Sequence, residues 1–336
     1  MRYDDLVDRL ATPLDPVRVG TFPDGSVDDY YRLRDGDSTV ASREAFASAL
    51  TAGRDSFVLT HVATDAGGQS VNAARQAAAL GDDVTLVGHL DHPIFDFDFE
   101  TVSMGAPAHV RVHLFDADDV MFVEESADLE TWSFATLEGA LGERIDAFLE
   151  RDALCCTNWA SVPGLDAALG DIAARRLDGG VFCLDPGTIS DTQASEMLDT
   201  VARLDTYETV VSVNADEAKR LAAAVGHADD DPAAPAVLDA VRSAASATGV
   251  VVHDVDAATA VTPDGRMSVP TLDTERTLTE TGAGDRFSAG LARSLAAGWD
   301  WDLALAMGNA CAAYYVSGQG TGSVSDLHDH VLAHRP

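Results

Sequence analysis

Ten consecutive residues, Thr281-Gly282-Ala283-Gly284-Asp285-Arg286-Phe287-Ser288-Ala289-Gly290, join small residues and one carboxylate to a helix-forming run that continues to Ala297 and stops at Gly298. Small residues let the backbone come close to a ligand. A helix start presents unpaired N–H groups and the positive end of its dipole. The turn therefore predicts an anion hole with the Asp285 carboxylate beside it. General-base catalysis of phosphoryl transfer gives that repulsive pairing a use. Asp285 takes a hydroxyl proton while the amides of Gly282, Ala283 and Gly284 steady the transferring charge. A plain capping Asp at a helix start is the competing reading of so short a motif, so the rest of the chain must decide.

The surrounding elements alternate. Val17–Gly20, Val84–Gly88, Ala153–Thr157, Val181–Asp185, Thr209–Asn214 and Gly249–His253 are short runs, several of them apolar over most of their length. Such runs suit a parallel sheet buried on both faces. Helical patterns lie between them, at Ser70–Leu80, Gly164–Arg176, Asp191–Leu204, Ala215–Val225 and Pro235–Thr248, and two more, Arg286–Ala297 and Trp301–Ser317, close the chain. Gly81 and Gly298 read as C-terminal helix stops. The fold class is α/β: one doubly wound domain over residues 1–336, its mostly parallel central sheet flanked by helices.

Two stretches, about 27–65 and 95–125, break this rhythm with alternating apolarity. In His109-Val110-Arg111-Val112-His113-Leu114 the valines and Leu114 share one face and His109, Arg111 and His113 the other, a half-exposed strand. These excursions predict a small β lid over the main domain, with a helix at Ser42–Ala52 inside the first. A homodimer through that lid is open.

Composition narrows the function. The chain has 336 residues, 46% of them apolar, with 56 acidic against 22 basic residues and a net charge of −34. Lys219 is the only lysine. The acids are scattered, which predicts an acidic coat over a folded body, as in cytosolic proteins of salt-in halophiles. With no basic patch, nucleic acid is excluded as a partner. Cys155, Cys156, Cys183 and Cys311 show no metal-ligand spacing and read as buried thiols. A polar N-terminus, and no apolar run of about 18 residues, predict a soluble cytoplasmic protein without a membrane partner.

Outward from the Gly282–Asp285 turn, the sequence resembles the ribokinase, or PfkB, family of carbohydrate kinases. Thr279-Glu280-Thr281-Gly282-Ala283-Gly284-Asp285-Arg286-Phe287 is similar to that family's D-T-x-G-A-G-D-x-F motif. Gly67-Gly68-Gln69-Ser70-Val71-Asn72 resembles its G-G-x-x-x-N segment, and Asn214-Ala215-Asp216-Glu217 its N-x-x-E motif. Asp185-Pro186 after a strand also fits. The matches keep the family order over most of the chain.

The resemblance implies a ribokinase-like fold and an Mg²⁺-dependent phosphotransferase that moves the ATP γ-phosphoryl group to a hydroxyl of a sugar-like molecule. Asp285 is then the base. Asp28, Gly67, Gly68, Asn72 and Arg111 bind the acceptor, with Asp24 and Asp29 open as alternatives to Asp28. Asn214, Glu217, Thr281 and Asn309 bind the nucleotide, and Glu217 reaches the metal through water, as Mg²⁺ chemistry allows. The stretch Asn309–Ser317 lines the adenine pocket.

The chain also departs from the pattern. Thr279-Glu280 replaces Asp-Thr, and His253-Asp254-Val255-Asp256 replaces a T-x-G turn. His89-Leu90-Asp91-His92-Pro93 follows Gly88 where the family has G-D-D-x-x-G. The acceptor is thus left among a sugar, a nucleoside and a sugar phosphate. A non-catalytic ligand-binding relative is the reading from another class.

Overall fold

A computed structural model describes residues 2–335 except 37, 117–118, 229 and 274–280. Thr279 and Glu280 of the motif, and Asp229 of an acidic run at 229–231, lie outside the described residues. The strands in chain order are β1 (Arg18–Phe22), β2 (Ser26–Asp35), β3 (Ser38–Thr39), β4 (Val58–Gly67), β5 (Asp83–Gly88), β6 (Glu100–Ser103), β7 (Ala108–Leu114) and β8 (Asp119–Glu124). They continue with β9 (Ala153–Thr157), β10 (Val181–Asp185), β11 (Glu208–Val213), β12 (Gly249–His253), β13 (Ala257–Thr262) and β14 (Gly265–Pro270).

Nine strands form the main sheet in the order β14-β13-β12-β11-β10-β9-β1-β5-β6. All pairings from β12 through β6 are parallel, while β13 and β14 add an antiparallel edge. The strand order turns back at β1, between β9 and β5, and a ligand cleft belongs at the carboxyl ends beside such a switch. Val181–Asp185 and Ala153–Thr157 are buried at every position, as continuous apolar runs require. Their side chains feed two cores, one on each face: Cys155 joins one and Cys156 the other. All four cysteines are buried and free, and burial pushes the Cys155 and Cys311 thiols up to about 12. They are packing residues, not nucleophiles.

The second sheet runs β3-β2-β7-β8, with β4 also paired to β2. Leu33, Val40 and Phe115 form its own small core, with Phe46 and Phe57 packed against them. The stretch 95–125 is only partly lid, because β6 pairs in parallel with β5 and extends the main sheet. The chain does not close on Trp301–Ser317 either. That helix ends at Tyr314, a π-turn covers Tyr315–Gln319, and a further helix, Val324–His334, follows behind a Ser323 capping box. No helix of the described residues is long and apolar enough to cross a membrane.

Candidate active site

The carboxyl ends of β1, β9, β10, β11 and β12 open into a cavity of about 1600 Å³ that the lid strands β7 and β8 also face. Its floor is the start of the helix Ala283–Ala296. Gly282 caps that helix with φ +85°, a left-handed conformation that favours glycine. Asp285 lies in the first turn, 6% exposed. Its carboxylate accepts hydrogen bonds from Asn72 Nδ2 at 2.9 Å and Gln69 Nε2 at 3.1 Å. Burial raises its pKa; Asn72, Arg286 and Gln69 oppose that rise.

Gln69 also donates to Asp185 at 3.2 Å, joining two buried carboxylates through one amide. Asp185 further accepts from Ser288 Oγ at 2.9 Å. Burial first, then the charges of Asp285 and Glu217, hold Asp185 well above the usual carboxylate range. Gln69 sits inside the Gly67–Asn72 segment, yet nothing in that segment alone reveals its bridging role. Ser288 is equally silent in sequence.

The β1–β2 connection and the start of β2 supply the carboxylates on the opposite wall, Asp24 and Asp28 respectively. Asp24 is bound by the backbone N–H groups of Gln69 (2.9 Å) and Ser70 (2.8 Å), by Thr157 Oγ1 (3.0 Å) and by Asn158 Nδ2 (3.3 Å). It caps the helix Gln69–Ala79, so its lone pairs are committed to the protein. Among the described residues Asp28 has one side-chain partner, Ser26 Oγ at 2.6 Å, and it lines the cavity. Burial pushes it up to about 6, with the charges of Asp65, Asp24 and Asp285 adding to the rise. Asp29 instead receives the Thr64 hydroxyl and does not line the cavity.

Two expected acceptor contacts are corrected. A Cβ on Gly67 would collide with the Asp28 carboxylate, so this glycine makes room for a protein side chain rather than for a ligand. Gly68, at φ +101°, lines the cavity, and a Cβ there would lie 2.8 Å from Gly25 Cα. Arg111 is exposed on β7 and outside the cavity wall. The period-two alternation turns Ala108 and Val110 inward instead.

On the far side, Asn214 and Glu217 form a capping box at the start of the helix Ala215–Ala224. Asn214 Oδ1 accepts from the amides of Asp216 and Glu217, and Glu217 Oε2 accepts from the Asn214 amide at 3.0 Å. Burial chiefly, opposed by the Asn214 amide and helped by Asp285, brings Glu217 up to about 7. Lys219 and Arg220 line the same end. Thr281 lines the cavity and donates to Asp119 Oδ2 at 3.2 Å.

Asn309 lines the cavity, but its side-chain amide is committed to the protein. Its Nδ2 is shared among Tyr3 Oη and the carbonyls of Val269 and Pro270, so it ties the helix Trp301–Tyr314 to β14. Ala312, Ala313 and Val316 form the apolar wall nearby. His253 packs against Phe287 and beside Gly284; burial lowers it to about 4, which leaves it neutral.

The sequence profile of the prokaryotic ketohexokinase family matches residues 23–331. Three solved structures share the fold across 95% of this chain. A ribokinase of Arabidopsis thaliana complexed with ribose and ATP is 19% identical, with TM-score 0.66 over 99% of its own length. A nucleoside kinase of Burkholderia thailandensis in complex with inosine is 16% identical, with TM-score 0.66 over 100% of its length. An adenosine kinase of Sinorhizobium meliloti is 17% identical, with TM-score 0.65 over 99% of its length. A stretch of 56 residues is 54% identical to the bifunctional protein HldE of Rhodopseudomonas palustris and 52% identical to that of Bradyrhizobium diazoefficiens. That stretch is 16% of this chain and spans only 11% of each curated relative.

Proposed function

Because the chain belongs to the prokaryotic ketohexokinase family, a family of carbohydrate kinases, we propose that it transfers the γ-phosphoryl group of ATP to a hydroxyl of a ketohexose, with Mg²⁺ as cofactor. The observation that carries this reading is the buried Asp285 carboxylate in the first turn of a helix whose N-terminus forms the cavity floor. The acceptor hydroxyl gives its proton to Asp285, oriented by Asn72 and Gln69. The amides following Gly282 hold the charge of the transferring group, fixed in place before reaction. Asp28, with acceptor capacity to spare, grips sugar hydroxyls. The wall of Ala312, Ala313 and Val316 takes the adenine, and Thr281 and Asn214 border the phosphates.

Glu217 suits a metal held through water. One of its oxygens is committed to the Asn214 amide. Its buried charge beside Asp285 is the kind that a nearby divalent ion relieves. Bound there, Mg²⁺ would neutralise phosphate charge. A phosphorylated acceptor needs an arginine such as Arg18, Arg75 or Arg111, and none of these lines the cavity, which favours a neutral sugar. The lid supports a homodimer: β4 is exposed over eight consecutive residues, with Val58, Leu59 and Val62 among them.

The deciding experiment is a phosphoryl-transfer screen with ATP and Mg²⁺ against ketohexoses, aldoses, nucleosides and sugar phosphates. A ketohexose should show the highest kcat/KM. Preference for a nucleoside or sugar phosphate would replace the acceptor. Transfer to none of them would leave a ligand-binding relative.

A further inference from the structure

Arg286, directly after Asp285, is used by none of the chemistry above, yet it is a cation buried to 2% exposure. Its Nη1 donates to the Gly282 carbonyl at 2.7 Å and its Nε to the Thr321 hydroxyl at 3.3 Å. The guanidinium carbon lies 3.7 Å from the centre of the Tyr315 ring. Among the described residues its hydrogen-bond and ring partners are a carbonyl, a hydroxyl and a ring, while Asp285 and Asp65 act on it through charge alone. Burying a cation on such partners is costly, and burial lowers the Arg286 pKa. An apolar side chain would fill the space without that cost, so the charge needs a use.

The surroundings supply one. A Cβ on Gly282 would lie 2.8 Å from Arg286 Nη1 and 2.9 Å from Asn72 Nδ2. The glycine, the guanidinium and the amide that orients Asp285 are therefore fitted to one another. We infer that Arg286 is a positioning residue for phosphoryl transfer: a built-in buried cation that fixes the Gly282 carbonyl, so that the amides after it face the cavity, and places positive charge behind Asp285. Its contacts to Tyr315 and Thr321 anchor this clamp to the segment after the helix Trp301–Tyr314.

The charge balance around Asp285 agrees. Asp24, Asp28, Asp185 and Glu217 face it from the β1–β2 connection, β2, β10 and the helix after β11, and neutral His253 borders Gly284. Gln69 and Asn72 are neutral donors. Arg75 and Asp65 lie farther out, beside Tyr30 and Tyr315. Among the described residues, Arg286 is the cation that opposes the burial-driven rise of Asp285.

This inference rests on the kinase reading, and its test separates the two. Wild type, Arg286→Met and Arg286→Lys are compared by kcat and KM for ATP and ketohexose from pH 5 to 9, with circular dichroism and thermal melts alongside. No turnover by the folded wild type would overturn the kinase reading itself. With an active wild type, Arg286→Met should lose at least about tenfold in kcat at neutral pH. Its acid limb should move up by roughly one unit, the shift expected from losing a nearby opposite charge. Arg286→Lys keeps the charge but not the fork, so it should keep the limb in place while kcat falls. An unmoved limb in Arg286→Met, or a shifted one in Arg286→Lys, overturns the inference. If Arg286→Met does not fold, Arg286→Lys decides: an unchanged kcat in it contradicts the clamp.

Discussion

At the residue scale, two carboxylates four positions apart, Asp24 before β2 and Asp28 within it, have separate fates. Asp24 spends its lone pairs on two backbone amides, a hydroxyl and a carboxamide, while Asp28 keeps its own available. The cost falls on stability. Asp28 is raised from 3.8 to about 6 in the folded protein. The folded state therefore holds a proton the unfolded chain has released. The penalty is absent below the unfolded value and complete above about 6. Asp28→Asn should accordingly melt higher than wild type at pH 7, with the difference vanishing below about pH 4, while KM for the acceptor rises. A lower melting temperature at pH 7 would show that Asp28 is not strained, and an unchanged KM that it is not used. Residue spacing alone could not separate Asp24 from Asp28: both stand a few residues past Gly20, and only hydrogen bonding distinguishes them.

At the element scale, the parallel strands were legible because strands buried on both faces read as near-continuous apolar runs, as Val181–Leu184 and Ala153–Cys156 do before each strand ends on a polar residue. The edge hairpin β13–β14 was not read. Its two-residue turn is Pro263-Asp264, with Gly265 opening β14, but Ala257 and Ala258 carry little strand propensity. Arg111 was misplaced because alternation fixes two faces without saying which one a second domain covers. Asn309 lies in a helix of small residues that does face the cavity, while its own side chain reaches Tyr3, some 300 positions away in sequence. Such long-range partners leave no local pattern. The lid yields a prediction of its own. Val62, 51% exposed on β4, belongs to the face proposed to meet a second copy. Val62→Glu should sediment as a monomer where the wild type is a dimer, since a buried unpaired carboxylate is strongly unfavourable at an interface. A wild type that sediments as a monomer at micromolar concentration contradicts the proposal.

At the scale of the whole molecule, net charge dominates. The formal charge of −34 is spread over a body with 22 basic residues. Many of those pair at the surface, as Arg175 does with Glu138 and Asp146 and Arg18 with Asp152. Such exposed pairs contribute little individually. Repulsion among the remaining acids opposes compaction when screening is weak. The melting temperature should therefore rise between about 0.1 M and 2 M KCl, as the Debye length falls from roughly 10 Å to below 3 Å. The same melting temperature at both concentrations would mean that the acidic surface carries no such penalty.

The account turns on Asp285 as the base of a phosphoryl transfer. Its most direct test is the turnover of Asp285→Asn at saturating ATP, Mg²⁺ and the best ketohexose, beside a melt showing that the variant is folded. The expected result is a loss of at least about 10²-fold in kcat with KM for ATP little changed. Near-normal turnover by the folded variant would contradict it.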